Sequence, residues 1–228
     1  MNFLKYKTVV FFDKFYYMQH ISIDTIKTWE RFYRANFINC LTGFKAVSLI
    51  ASVNAAAQPN LGVFSSVVHL GSDPALIGFI NRPLAAAPHT INNIKATGVY
   101  TINHIHPNIA AKAHQSSAKY PVDVNEFAAV GLTELYLPNI AAPFVTESHV
   151  KYALSLVEIV PITHNNTFLV IGKVTDVMLD ENLIQQNGFL ALHQAESLAS
   201  LGVDAYYTTQ QLARFGYAKP DTTIEKLS

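Results

Sequence analysis

The sequence is short of the residues that build several common kinds of site. Cys40 is the single cysteine among 228 residues, so no intrachain disulfide can form and no CxxC metal or redox pair exists. Cys40 falls near a helix end in an apolar setting, where thiols are usually inert, and catalysis by a Cys–His pair lacks support. Charge is scarce and balanced: 14% of residues are charged, with 16 basic and 16 acidic, for a formal net charge of zero. That balance gives no reason to expect nucleic acid or an anionic membrane as the main partner. No apolar run approaches a membrane span. The GxGxxG and GxxxxGK[ST] phosphate cradles are missing, and so is the GxSxG nucleophile elbow. No internal repeat or low-complexity linker interrupts the chain. A reducing cytoplasm is the simplest compartment for such a composition.

What the chain does have is hydrophobic content, at 50% of residues, enough to bury a substantial core. The opening "MNFLKYKTVVFFDKFYYMQH" has an apolar centre of four residues, Val9 to Phe12, too short for a signal peptide. Residues 1–17 read as an extension before Met18, and residues 18–228 as a single domain. "ISIDTIKTWERFYRANFINCLTG" reads as one or two amphipathic helices, with Trp29, Phe32, Tyr33 and Phe37 at helical spacing and Gly43 at the end. "KAVSLIASV" suits a strand. Leu61 to Leu70 and Ala75 to Ile80 suit two strands joined by the turn Gly71 to Pro74. "HTINNIKATG" reads as a short helix capped by Thr90 and ended by Gly98. "VYTINHI" is a strand, Pro107 opens a helix, and "VNEFAAVGL" is a short helix. "HVKYALSLVEIVPI" and "TFLVIGKVTDVML" form a hairpin, and the tail "LARFGYAKPDTTIEKLS" loses hydrophobicity and ends frayed. Many strands with short helices inserted point to an α+β barrel, mainly β.

His104-x-His106 with His114 is the best metal-like cluster. No cysteine or well-placed carboxylate completes it, so no metal is assigned. Another group carries more chemistry. Arg82 offers a forked cation suited to phosphate oxygens. The helix near Thr90 offers free N–H groups and a positive dipole end. His89 can add a donor, and Ser65 and Ser66 can supply hydroxyls. Together these residues outline an anion pocket without naming the anion.

The segments "NLGVFSSVVHLGSDPALIGFINRP", "HTINNIKATGVYTIN" and "AHQSSAKYPVDVNEFAAVGLT" resemble, in order, the flavin reductase-like, FMN-binding split-barrel family, with flavoredoxin-type proteins the nearest. The resemblance continues through "APFVTESHVKYALSLVEIV" and "TFLVIGKVTDVMLDENLI" to "LARFGYAKP". It implies a six-stranded Greek-key split barrel with added helices, a homodimer, and one FMN per subunit. By the same resemblance, Asn60 and the backbone from Leu61 to Phe64 approach the isoalloxazine ring. Ser65 and Ser66 turn towards the ribityl chain and phosphate. Arg82 and Thr90 hold the phosphate with Asn93 nearby, and Ser116, Ser117 and Lys119 lie on a loop that can close over the flavin. Where many relatives carry Lys-Asp, this chain has Pro88-His89, so phosphate binding is expected to rest on Arg82 and the helix end.

The implied activity is NAD(P)H-dependent flavin reduction, with hydride passing from NADH or NADPH to flavin N5 and an unidentified electron acceptor. No side-chain acid or base is required for that transfer, and no catalytic residue is assigned. His69 and His114 are weighed as proton or nicotinamide contacts against core or surface roles. The alternatives are an electron carrier reduced by a protein partner, and a dimer that binds FMN without catalysis. A haem-binding split barrel is a more distant option.

Overall fold

The computed structural model describes residues 9, 10 and 18–227. The extension expected over residues 1–17 lies outside the described residues, apart from Val9 and Val10. The chain divides into two compact units, Met1–Gly43 and Phe44–Ser228. In the first, β1 (Val9–Val10) pairs antiparallel with β2 (Met18–Gln19). Two helices follow, α1 (Ile23–Lys27) and α2 (Arg31–Leu41). Ser22 starts α1 by accepting a hydrogen bond from the Thr25 N–H, and Glu30 starts α2 by accepting from Phe32 and Tyr33. Such caps satisfy N–H groups that no helical carbonyl reaches. Trp29 meets Tyr33 and Phe37 edge to face, with ring centres 5.1 and 5.0 Å apart.

The second unit begins with β3 (Lys45–Ala46), β4 (Ser48–Val53), β5 (Pro59–Phe64), β6 (Val68–Ser72) and β7 (Ala75–Asn81). Helix α3 (His89–Thr97) leads into β8 (Val99–His104), then α4 (Ala110–Gln115) and α5 (Glu126–Val130). The hairpin β9 (Glu134–Leu137) and β10 (Ile140–Val145) precedes the long hairpin β11 (Lys151–Ile162) and β12 (Thr167–Met178). The short strands β13 (Ala199–Leu201) and β14 (Ala205–Tyr207) join β3 in a three-stranded sheet. The main sheet is antiparallel, in the order β5-β4-β8-β11-β12-β7-β6. It is the expected mainly-β α+β architecture, with an open sheet of seven paired strands, one more than the six expected.

The apolar run from Leu61 to Leu70 is two strands, where the sequence reads as one. β5 and β6 sit at opposite ends of the sheet order, yet only residues 65–67 separate them. So short a link reaches at most about 14 Å, so the sheet must curl until its two ends lie near each other. The break falls at Ser65 and Ser66, which read equally well as the polar face of one continuous edge strand. Ser66 marks the join. Its hydroxyl donates to the Ile80 carbonyl and accepts from the Ile80 N–H, both at 3.1 Å. The β6–β7 pairing stops at Val68–Gly78, so Ser66 satisfies the next outward-facing groups of β7 in place of a strand.

Strand β4 is buried along its whole length because the sheet is covered on both faces. Leu49 and Ala51 face a cluster with Leu61, Ala113 and Phe127, beneath α4 and α5. Ile50 faces the barrel interior with Phe79, Ile91, Ile94, Tyr100, Ile102 and Val170. Helix α3 thus contributes Ile91 and Ile94 to the interior and stops at Gly98, whose φ of +72° favours glycine. Tyr100 is enclosed in this apolar cluster with its hydroxyl unpartnered among the described residues. Burial, with Tyr152 nearby, pushes the Tyr100 phenol well above its ordinary pKa. Gly172 on β12 makes room for that ring: a methyl group there would overlap the hydroxyl and lie 2.9 Å from Cζ.

Candidate functional site

The loop between β7 and α3 gathers the charged and helical parts of the site. Asn81, fully buried at its start, donates through Nδ2 to the carbonyls of Arg82 at 2.7 Å and Ala87 at 3.0 Å. These bonds draw the two ends of the loop together and hold exposed Arg82 on the same neck as the first turn of α3. Arg82 makes no ion pair among the described residues.

Thr90 is not the helix cap that its sequence position predicts. Pro88 occupies that place without a side-chain bond, and α3 begins at His89. Thr90 lies within the first turn, buried, and its hydroxyl accepts from Asn60 Nδ2 at 3.1 Å. No capping side chain competes for the N–H groups of the first turn, so the positive end of α3 stays open. A chain needing a stable helix alone would gain by a cap here. An uncapped start beside a free guanidinium suits a phosphate-bearing ligand.

Next to this turn is a polar cleft of about 120 Å³, lined by Asn54, Gln58, Asn60, His89, Asn92, Asn93 and Glu126, with Val122 and Val124. Its carboxamides are braced from behind. Ser52 Oγ accepts from Asn93 Nδ2 at 3.3 Å and lies 3.5 Å from Asn60 Nδ2. Glu126 Oε2 accepts from the Leu61 N–H at 3.3 Å and so fastens α5 to β5. Burial pushes the Glu126 carboxyl above its usual pKa, opposed by hydrogen bonds from backbone N–H groups and by the charge of His89.

The structure therefore brings Asn60, His89, Thr90 and Asn93 together, with Arg82 on the adjoining loop. Asn60 touches Thr90 at the helix start, where the resemblance would set it beside the ring. Leu61 is buried beneath α5, and Phe64 packs edge to face on Phe79 at 5.0 Å. Ser65 is half-buried at the join, and Ser66 is engaged with Ile80. Ser116 is buried and donates to the Ala113 carbonyl at 2.7 Å, while Ser117 and Lys119 are exposed. None of these three lines the cleft. Sequence reading missed Asn81, Ser52 and Glu126. Each looks like an ordinary strand or helix residue until folding supplies its partner.

The histidines of the metal-like pattern disperse to different partners. His104 Nδ1 lies 3.0 Å from Ser197 Oγ, and burial lowers its pKa to about 4. His106 Nε2 lies 3.0 Å from the Glu147 carbonyl, and its ring stacks on His149 with centres 4.1 Å apart. His114 Nδ1 pairs with the Tyr206 hydroxyl at 3.0 Å, and His69 is exposed on β6. Among the described residues no group of three His, Cys, Asp or Glu is placed to hold a metal, and no helix is long and apolar enough to cross a membrane.

Residues 44–201 match the flavin reductase like domain. A split-barrel protein from Shewanella frigidimarina, assigned as a flavin reductase, is similar at 45% identity. That similarity covers 88% of this chain and 100% of the other, with a TM-score of 0.85. Two more distant structures share the fold. Nitrilotriacetate monooxygenase component B from Bacillus cereus is 18% identical over 85% of this chain and 96% of its own, with a TM-score of 0.75. Flavoredoxin from Desulfovibrio vulgaris is 22% identical over 79% and 92%, with a TM-score of 0.64. The rolled sheet, the helix start beside Arg82 and the domain match agree: this chain belongs to the flavin reductase-like family of split-barrel proteins.

Proposed function

We propose that the chain is an FMN-dependent oxidoreductase that accepts hydride from NADH or NADPH, works as a homodimer and passes electrons to an acceptor. The observation that carries this reading is the open start of α3 beside Arg82, within a fold whose family handles flavins. The fit is chemical. A single phosphate finds a forked cation, unoccupied helix N–H groups and the Thr90 hydroxyl within one loop and one turn. Ligand hydroxyls find the carboxamides of Asn60 and Asn93. The outer edge of β5, at the end of the sheet, offers backbone donors and acceptors to the polar rim of the ring.

When bound, FMN would supply the hydride-accepting ring, which is the cofactor's own chemistry. The chain's work is binding and orientation. Arg82 and the first turn of α3 fix one end of the ligand. Asn81 keeps those two elements together, and Ser52 keeps Asn60 and Asn93 aimed at the cleft. His89, in the first turn of α3, can offer a ring N–H to the ligand.

The test is the visible spectrum of the purified protein with FMN, before and after anaerobic NADH or NADPH. Flavin bands that bleach support the reading. Bands that persist with both nucleotides, yet bleach with a reduced ferredoxin-like donor, would replace it with an electron carrier. Failure to bind FMN would overturn it altogether.

A further inference from the structure

Glu126 has no part in the reading above, and its position is unusual for an anion-binding site. It is a carboxylate 6% exposed to solvent, in the same cleft as His89, Asn60 and Asn93. Oε2 accepts from the Leu61 N–H, and the carboxyl also takes a hydrogen bond from its own backbone N–H. Among the described residues no cation pairs with it. A buried carboxylate held only by backbone N–H groups, in the cleft next to the proposed phosphate position, would set two anions against each other in a place that water screens poorly.

The surrounding groups show where a relieving proton can go. Strand β5 brings no titratable side chain to α5, only the Leu61 N–H. Helix α4 carries Lys112, whose ammonium is bound to the Gly131 carbonyl, and His114, which is paired with Tyr206. From β9, Glu134 is bound to the Asn125 carboxamide, and Asp123 on the approach to α5 is exposed. His89 from α3 is the one titratable side chain whose charge acts on Glu126. Glu126 is the enclosed group of the two, while His89 is only half-buried, so neutralising Glu126 relieves the repulsion and the proton goes there.

On this basis, and resting on the phosphate site proposed above, we infer that Glu126 takes up one proton when a phosphorylated ligand binds. As a neutral acid it stops repelling the phosphate and becomes a donor in the cleft. Glu126 is then a specificity residue: it makes preference for the phosphorylated flavin depend on pH. Burial that already favours the protonated carboxyl makes the uptake easier.

The experiment titrates FMN and riboflavin, which differ by the phosphate, against the protein and its Glu126→Gln variant from pH 6 to 9. Glutamine keeps an acceptor for the Leu61 N–H and removes the charge. The wild-type preference for FMN over riboflavin should fall with rising pH by up to about tenfold per unit, the limit for one linked proton. In Glu126→Gln the preference should be nearly flat and, at pH 8, about tenfold larger. Calorimetry of the wild type at pH 8 in two buffers of different ionisation enthalpy gives a reading that needs no variant. FMN should bind with proton uptake and riboflavin without it. Equal pH dependence in both proteins, an equal shift for riboflavin, or no proton uptake would overturn the inference while leaving the phosphate site intact. No preference for FMN at any pH would overturn both.

Discussion

The two faces of α3 follow opposite rules. Its inner face sends Ile91 and Ile94 into the barrel, where both are wholly enclosed among Phe79, Tyr100 and Val170. Its N-terminal half presents His89, Asn92 and Asn93 to a cleft of carboxamides. The interior tolerates an unpartnered Tyr100 hydroxyl at some cost, whereas polar side chains behind the cleft are braced by Ser52 and by the Leu61 N–H. Stability and the proposed binding thus fall on the same nine-residue helix but on different side chains, so substitutions should separate them.

The sharpest break should come from Ile94→Ala. It should cost about 2–5 kcal/mol in denaturant unfolding, the range for truncating an enclosed side chain. FMN affinity measured well below the unfolding midpoint should change little, because the first turn keeps its groups. A large loss of affinity in still-folded protein would show that the two faces are not separable.

Acid should distinguish the regions next. His104 in the folded chain resists protonation down to about 4, against 6.5 when unfolded. The unfolded chain therefore takes the proton first. This contribution to stability is complete above pH 6.5 and declines as the pH falls towards 4, by roughly 3 kcal/mol for a shift of that size. His106, also lowered by burial, acts in the same direction. Glu126 acts oppositely: its raised pKa favours the folded state at low pH, and that advantage fades as pH rises through its titration. Unfolding midpoints at pH 4.5 and 7.5 for the wild type and His104→Asn check this. The slope in acid should flatten in the variant.

Arg82→Ala should show the reverse of Ile94→Ala. Its expected loss is roughly 1.5–3 kcal/mol of FMN binding, the scale of a charge-assisted hydrogen bond, with an unchanged unfolding midpoint. The smallest effect belongs to Tyr100→Phe. Removing a buried hydroxyl without a partner should leave stability equal or raise it by up to about 1 kcal/mol, with no change in flavin binding.

Much of the scaffold is legible in the sequence because local rules agree with the fold. Gly98 ends α3, β11 and β12 form the expected hairpin, and "KAVSLIASV" announces the strand β4. The break after Phe64 is not legible, since it depends on the sheet curling until Ser66 meets Ile80. At the site, Arg82, His89, Thr90 and Asn93 can be picked out because they flank one helix start. Asn60 was expected at the ring, and only the fold reveals its contact with Thr90, thirty positions on. Glu126 is hidden for the same reason: its partner, the Leu61 N–H, is 65 positions away in the chain.

The measurement that bears most directly on the account is a visible-absorption titration of FMN and riboflavin side by side at pH 7. The phosphate cradle proposed at the start of α3 predicts characteristic flavin bands on the protein, with FMN bound at least about tenfold more tightly than riboflavin. Equal affinity for the two flavins, or none for either, would contradict it.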